Sequence, residues 1–154
     1  MNIVSGDLLQ LAKEGQFDVI IHGCNCFCTM GAGIASQIRL QFPQAFAADR
    51  HTKKGDLAKL GTYSCAKVMT QQYVFIIVNA YTQFKWSGNG INADYDAIHQ
   101  VFTSVKQDFS GLKIGYPLIG AGLAGGDWDR IAPIIDAALS NENHTLVHYQ
   151  SRCH

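Results

Sequence analysis

The sequence carries little charge. Only 16% of its 154 residues are Asp, Glu, Lys or Arg, whereas roughly a quarter is usual for a soluble domain. Twelve basic side chains balance twelve acidic ones, so the formal net charge at pH 7 is zero. That balance argues against a broad electrostatic surface for nucleic acid. It still allows a local pocket for a small anionic ligand.

Long hydrophobic runs are also missing. The first ten residues, MNIVSGDLLQ, lack the basic segment and the apolar stretch of a secretory leader. No apolar run approaches the roughly 20 residues that cross a bilayer as a helix. The five cysteines would leave one unpaired in a disulfide framework. We therefore expect a single cytoplasmic domain over residues 1–154, with no membrane partner and with its thiols reduced.

Segments typical of strands alternate with segments typical of helices. Residues 19–21 form a continuous apolar run of the kind found in strands buried on both faces. Strand-like segments on either side of the polar link at 69–72 are close enough in sequence to pair antiparallel. The alternation predicts an α/β fold, a three-layer α/β/α sandwich with a mixed, mostly parallel sheet.

Helix ends can be placed from local signals. The segment 91–111 has apolar residues on one helical face, with Asn92 as the expected N-cap and Gly111 as the expected C-cap. The last helix is expected to begin near Asp129, so that Pro133 falls in its first turn.

Two glycine-rich loops follow buried strands and precede helices. They read TMGAGIA at 29–35 and IGAGLAGGDW at 119–128. Glycine lets backbone N–H groups approach a ligand closely, and a helix N-terminus adds partial positive charge. Two such loops could hold a diphosphate without a lysine. For either loop alone, a tight turn in a crowded sandwich is the alternative, and neither loop matches a P-loop or the dinucleotide fingerprint.

Four segments in order suggest a family. They are GDLL at 6–9, VIIHGCNCFCTMGAGIA at 19–35, NAYTQ at 79–83 and PLIGAGLAGGDW at 117–128. Together they resemble the macro domain, in particular the branch that contains ADP-ribose 1''-phosphate phosphatases. The resemblance implies that the chain has the macro-domain fold and that its ligand is ADP-ribose or ADP-ribose 1''-phosphate. We expect no cofactor.

The resemblance also implies ligand-binding residues. Asp7, with Leu8 beside it, matches the position that holds adenine; a helix N-cap is the other role for Asp7. Asn25 matches an asparagine at the distal ribose, although asparagine also forms turns. Tyr149 could stack on adenine or pack in the core. The two glycine loops match at Gly31, Ala32, Gly33 and Ile34 for the distal ribose and phosphate, and at Gly120, Ala121, Gly122, Leu123, Ala124 and Gly125 for the diphosphate.

Candidate catalytic residues follow from the same comparison. His22 matches a histidine implicated in catalysis in the phosphatase-like branch, where neutral imidazole could act as a base or a nucleophile. Asp127 is the nearest candidate acid, with a helix cap or loop brace as the alternative. A neighbouring branch uses a lysine and an aspartate, whose positions hold Asn79 and Ala124 here. Asn79 could instead line the distal end of the ligand site.

The stretch HGCNCFC, residues 22–28, contains three of the five cysteines. A structural zinc site usually has C-x₂₋₄-C spacing, and alternate cysteines suit one tetrahedron poorly. We expect no metal here and expect the cysteines to behave as small buried hydrophobes.

The sequence therefore predicts a protein that binds ADP-ribose and removes phosphate from ADP-ribose 1''-phosphate. A non-catalytic ADP-ribose reader is one alternative. The other is an ADP-ribosyl hydrolase acting on modified protein or nucleic acid, with nucleic acid the less expected carrier because the net charge is zero.

Overall fold

A computed structural model describes residues 1–87 and 90–150. In chain order its elements are β1 (Asn2–Gly6), α1 (Leu8–Lys13), β2 (Val19–Cys24), α2 (Gly33–Gln41), α3 (Pro43–Arg50), a 3-10 turn (Leu57–Lys59), β3 (Tyr63–Met69), β4 (Val74–Tyr81), α4 (Tyr95–Phe109), β5 (Ile114–Tyr116), α5 (Trp128–Ala138) and β6 (His144–Tyr149).

The strands form one six-stranded sheet in the order β1-β6-β5-β2-β4-β3. Only the β3–β4 pair is antiparallel; the other four pairs are parallel. The polar link at 69–72 is short, and a short link can join only antiparallel neighbours. The predicted mixed, mostly parallel sheet is confirmed.

Helices cover both faces of this sheet. Successive side chains of β2 point to opposite faces, so Ile20 packs with α1, α2 and α3, while Val19 and Ile21 pack with α4 and α5. All three side chains are at most 1% exposed. The continuous apolar run at 19–21 therefore belongs to a strand buried on both faces, and the predicted three-layer sandwich is confirmed.

The predicted N-cap of α4 is wrong, and so is the predicted position of Pro133 within α5. Asp94, not Asn92, is the N-cap of α4, because its side chain accepts a hydrogen bond from the Ala97 N–H at 2.9 Å. Asn92 instead donates its backbone N–H to the Ala124 carbonyl at 2.8 Å. Helix α5 begins at Trp128, within one residue of the predicted start near Asp129, but Pro133 lies inside the helix rather than in its first turn.

The C-terminal end of α4 differs from prediction by one residue. Ser110 is the C-cap, and Gly111 follows it with a φ of 84°. Glycine is suited to this left-handed position after a helix. In the described part of the chain, no helix is both long and apolar enough to span a membrane.

Candidate ligand-binding cleft

The sheet has a crevice where two neighbouring parallel strands send the chain to opposite faces. Strands β2 and β5 are paired in parallel. After β2 the chain continues to α2 on one face, and after β5 it continues to α5 on the other. Ligands in open α/β sheets bind outside the carboxyl ends of strands at such a point. Both glycine loops lie here.

The loop after β2 is organised by Asn25. Its Oδ1 accepts a hydrogen bond from the Phe27 N–H at 2.8 Å, and its Nδ2 donates to Thr29 Oγ1 at 2.7 Å. Cys28 and Met30 adopt left-handed backbone conformations, with φ of 58° and 42°. Non-glycine residues hold such conformations only where their surroundings enforce them. Asn25 thus shapes the loop, and its predicted contact with a ribose stays a prediction.

The same loop delivers the N-terminus of α2 to the cleft. Ala32 is the N-cap in an extended conformation and has no side-chain oxygen to accept from the first turn. Gly31, Ala32 and Gly33 are exposed, and Gly33 has a φ of 59°. The first-turn N–H groups of a helix have no partner within the helix. They are therefore free to face an anion, while half-buried Ile34 packs against the core.

The loop after β5 folds tightly on itself. The Gly126 N–H donates to the Gly120 carbonyl at 2.7 Å, and a Cβ at Gly126 would lie 2.4 Å from that oxygen. Gly120 and Gly125 both have a φ of 73°. Gly122, by contrast, has open space around it. The loop therefore needs glycine at 126 for its own geometry, whereas glycine at 122 leaves room above the loop.

The two glycine loops approach each other across the crevice. A Cβ on Gly33 would lie 3.8 Å from Cδ1 of Leu123, and Leu123 is 81% exposed. Ala121 is half-buried and packs against the core. Ala124 is 6% exposed, and its carbonyl accepts from the Asn92 and Ala93 N–H groups. The structure thus brings the predicted residues of both loops to one site.

Thr82 is a buried polar residue at the carboxyl end of β4 that the sequence analysis missed. It follows β4 directly, and its Oγ1 lies 2.8 Å from where a Cβ on Gly23 would be. It is 1% exposed, and its hydroxyl is one of two buried side-chain polar groups without a partner in the described residues. The signal was available, because the carboxyl end of β4 lies at the same edge of the sheet as that of β2.

The far end of the cleft is marked by Asp7 and Tyr149. Gly6 of β1 is in register with Tyr149 of β6, so Asp7, which follows β1, and Tyr149, the last residue of β6, lie at neighbouring strand ends. Asp7 caps α1 by accepting from the Leu9 and Gln10 N–H groups at 3.0 and 3.3 Å. Tyr149 is 77% exposed, so the alternative of core packing is wrong. Leu8 has its side chain in the core, which leaves only its backbone for a ligand.

His22 points away from the cleft into the core. It is 1% exposed, and its Nε2 lies 2.6 Å from Oδ1 of Asn79, which is fully buried. Both side chains lie on the sheet face covered by α3, where Asn79 donates to the Ala45 carbonyl at 2.9 Å. Burial lowers the pKa of His22 to about 4, although the Asn79 hydrogen bond acts to raise it. The imidazole is neutral at neutral pH and enclosed by protein.

This geometry gives no support to the predicted roles of His22 in catalysis and Asn79 in ligand binding. Asp127 is exposed and lies at the end of the second loop, as expected, but its Oδ1 accepts from the Asp129 N–H at 2.9 Å and caps α5. The capping alternative is thus present, and catalysis by Asp127 stays a prediction.

The cysteines of the 22–28 stretch are free thiols. Cys24 and Cys26 are at most 5% exposed, and burial raises the pKa of both. Cys28 is half-buried, with its Sγ 3.2 Å from the Asp49 carbonyl oxygen. Among residues 1–87 and 90–150, no three His, Cys, Asp or Glu side chains are grouped so as to hold a metal ion.

Comparisons with known proteins identify a family whose fold agrees with the observed architecture. The family model for the macro domain matches residues 21–135. The "Uncharacterized 17.5 kDa protein in tk-vs intergenic region" of Enterobacteria phage T4 is 36% identical over 153 residues, covering 96% of this chain and 95% of the phage protein. The chain therefore belongs to the macro domain family.

Two further matches cover only part of a longer protein. The "DNA ADP-ribosyl glycohydrolase" of Mycobacterium tuberculosis is 26% identical over 130 residues, which are 82% of this chain and 35% of that protein. The solved structure "Thermosipho africanus DarTG in complex with ADP-ribose" superposes with a TM-score of 0.74 at 16% identity, covering 100% of this chain and 43% of that one. At that identity the likeness shows the fold alone.

Proposed function

We propose that this chain binds ADP-ribose in the cleft and hydrolyses a bond at the 1'' position of the distal ribose. The observation that carries the proposal is the pair of glycine loops at the divergence of β2 and β5. Their exposed backbone and the uncapped N-terminus of α2 suit a diphosphate. Macro-domain membership and the ADP-ribosyl activity named for the mycobacterial relative support it.

The ligand would lie along the carboxyl edge of the sheet. Adenine would stack on exposed Tyr149, with its amino group near Asp7, where neighbouring strands bring the two residues together. The diphosphate would rest on the loop at 120–125, and the distal ribose would meet Asn25 and the loop at 31–33. Thr82 lies buried at the carboxyl end of β4, and its hydroxyl has no partner among the described residues.

Two classes of substrate fit such a pocket. ADP-ribose 1''-phosphate is the substrate predicted from the sequence, but the enclosed position of His22 weakens the argument that supported it. An ADP-ribosyl group on a macromolecule is the other, and the name of the mycobacterial relative favours it. In either case Asp127 is the exposed carboxylate nearest the second loop in sequence, and water with the phosphates of the substrate would supply the remaining proton transfers.

The test combines binding and turnover. We expect ADP-ribose to bind wild type in calorimetry, and Gly122→Ala to weaken binding without lowering Tm, because a methyl there meets ligand but no protein. Gly111→Ala, outside the cleft, is a contrasting control: its left-handed φ of 84° should make the methyl lower Tm while binding by the folded protein stays unchanged. An absence of binding by folded wild-type protein would refute the proposal.

Turnover would be measured on ADP-ribose 1''-phosphate and on ADP-ribosylated single-stranded DNA and peptide. Asp127→Asn keeps an oxygen that can cap α5 and removes only the charge. We expect it to reduce kcat at least tenfold with little change in Tm. Binding without turnover on any substrate would leave a reader of ADP-ribose.

A further inference from the structure

Three aromatic rings lie together beside the distal end of the cleft. Phe27 belongs to the loop after β2, and Phe84 and Trp86 belong to the segment after β4. The Phe27 ring centroid is 5.0 Å from that of Phe84 and 5.3 Å from that of Trp86, both edge-to-face. Phe27 and Phe84 are half-buried, whereas Trp86 is 54% exposed. We refer to Phe27, Phe84 and Trp86 as the aromatic platform.

The platform is fixed by the backbone beneath it. The Cys26 N–H donates to the Phe84 carbonyl at 2.9 Å, which ties the two loops together. Phe27 is anchored by the Asn25 side chain, and its ring packs against Gly55, where a Cβ would come within 3.2 Å. An indole held in place before binding loses little conformational freedom when a ligand stacks on it.

Lysines border the platform. Lys85 precedes Trp86, and Lys53 and Lys54 lie in the turn that ends at Gly55; all three are exposed. The Gly55 N–H donates to the Cys26 carbonyl at 2.8 Å, so this turn is attached to the loop that carries Phe27. The nearest carboxylate in sequence, Asp56, is half-buried and caps the Ala58 N–H. The chain has no net charge, so this is a local excess of positive charge.

A pocket beside Phe84 has a small excess of negative charge. Phe84 lines this open pocket of about 420 Å³, whose charged side chains are Asp94, Asp96 and Arg130, two carboxylates and one guanidinium. A polyanion would therefore run along the lysine side of the platform and avoid the carboxylate side.

We infer that the aromatic platform is a docking site for a single strand of nucleic acid, with one base stacked on Trp86 and its phosphates near Lys53, Lys54 and Lys85. Exposed aromatic faces combined with lysines are the means by which proteins hold single strands. The inference rests on the proposed function in one respect, because it takes the strand to be the macromolecule that carries the ADP-ribosyl group. Phe27 is two residues from Asn25, so a strand attached to the distal ribose would leave the cleft over these rings.

The experiment uses a fluorescein-labelled 12-nucleotide single strand without ADP-ribose, and follows its anisotropy with the full chain. We expect Trp86→Ala to weaken binding roughly 5- to 150-fold, the range for loss of one stacked base. Met69→Ala, which removes a 74% exposed side chain from β3, is the matched control. Lys85→Ala is expected to reduce the salt dependence of binding, with exposed Lys67 of β3 as its control.

The platform and the proposed function can fail separately. If wild type binds ADP-ribose but the strand binds equally to Trp86→Ala and Met69→Ala, the platform inference is overturned and the proposed function stands. If binding of the strand depends on Trp86 but wild type does not bind ADP-ribose, the proposed function is refuted and the platform inference stands. Cleavage of ADP-ribosylated peptide with no affinity for the strand would make a protein the carrier and would also overturn the inference.

Discussion

At the scale of single residues, His22 begins a buried chain of hydrogen bonds. Asn79 donates its Nδ2 to Ala45 O and Ser64 Oγ, so its Oδ1 is left to accept from His22 Nε2–H. Ser64 in turn lies 2.8 Å from the Tyr81 hydroxyl, which donates to Asp49 Oδ1 at 2.7 Å. This hydrogen-bond network joins β2, β4, β3 and α3, and it fixes His22 as the neutral Nε2–H tautomer.

We therefore expect His22→Ala to act on stability. Removing the imidazole leaves the Asn79 oxygen without a donor and opens a cavity, which together should lower the free energy of unfolding by about 2–4 kcal/mol. Urea denaturation of wild type, His22→Ala and the exposed-site control His148→Ala measures this. Turnover by His22→Ala should fall only with the folded fraction. Full stability combined with lost turnover would instead make His22 catalytic.

The direction of the His22 side chain could be predicted from the sequence, but its surroundings could not. Alternation along β2 predicts that His22 faces the same side as Ile20 and Cys24. Local sequence does not reveal that α3 packs over that side and contributes the Ala45 carbonyl and Asp49. Those contacts join residues far apart in sequence, 34 positions for Asn79 and Ala45 and 32 for Tyr81 and Asp49. Without them, a position at a strand end was interpreted as access to the ligand.

At the scale of elements, the second glycine loop has separable roles for its glycines. The backbone of Gly126 faces Gly120 O so closely that no side chain fits, while Gly122 borders open space. We expect Gly126→Ala to distort the loop, abolish ADP-ribose binding and lower Tm, and Gly122→Ala to weaken binding at unchanged Tm. Calorimetry and thermal unfolding of both variants are the measurements. Equal Tm losses in both would show that this division is wrong.

The elements themselves were largely predictable, and the errors have a common cause. Both glycine loops and the helix that follows each were placed correctly because a glycine run after an apolar run is a strong local signal. The α4 N-cap was placed wrongly, because Asn92 and Asp94 are both good caps and only tertiary contacts decide between them. Asn92 pairs with the Ala124 carbonyl of the second loop, which leaves Asp94 as the cap.

At the scale of the whole molecule, alternation of strands and helices was enough to predict the sandwich but not the strand order. The central place of β2, between β5 and β4, follows from pairing between residues far apart in sequence. That order creates the crevice, because loops from β2 and β5 become neighbours only in the folded sheet. The glycine loops could thus be identified from sequence, while the contact of Leu123 with Gly33 across the crevice could not.

The whole molecule should lose stability as pH falls from about 6.5 to about 4. Burial lowers the pKa of His22 from 6.5 to about 4 and also lowers the pKa of His144. Between those values the unfolded chain binds protons that the folded chain does not, so stability is fully present above the unfolded pKa and declines below it. At pH 5 the contribution of His22 should be down by about 2 kcal/mol relative to pH 7.5. Asp49 acts in the opposite direction, because burial raises its pKa.

A variant comparison isolates the histidine. Urea unfolding at pH 7.5 and pH 5 should show a smaller loss for His22→Gln than for wild type, since glutamine does not titrate and its amide can still donate to the Asn79 oxygen. His144→Gln, on the other sheet face beside the Tyr116 hydroxyl, measures the second contribution. Met69→Ala, which removes a 74% exposed side chain that does not titrate, should leave the wild-type loss unchanged. If His22→Gln loses as much stability as wild type between pH 7.5 and pH 5, then His22 is protonated in the folded state at pH 5. The neutral, enclosed imidazole would then not be present in solution, and the argument against His22 as a catalytic base would fail.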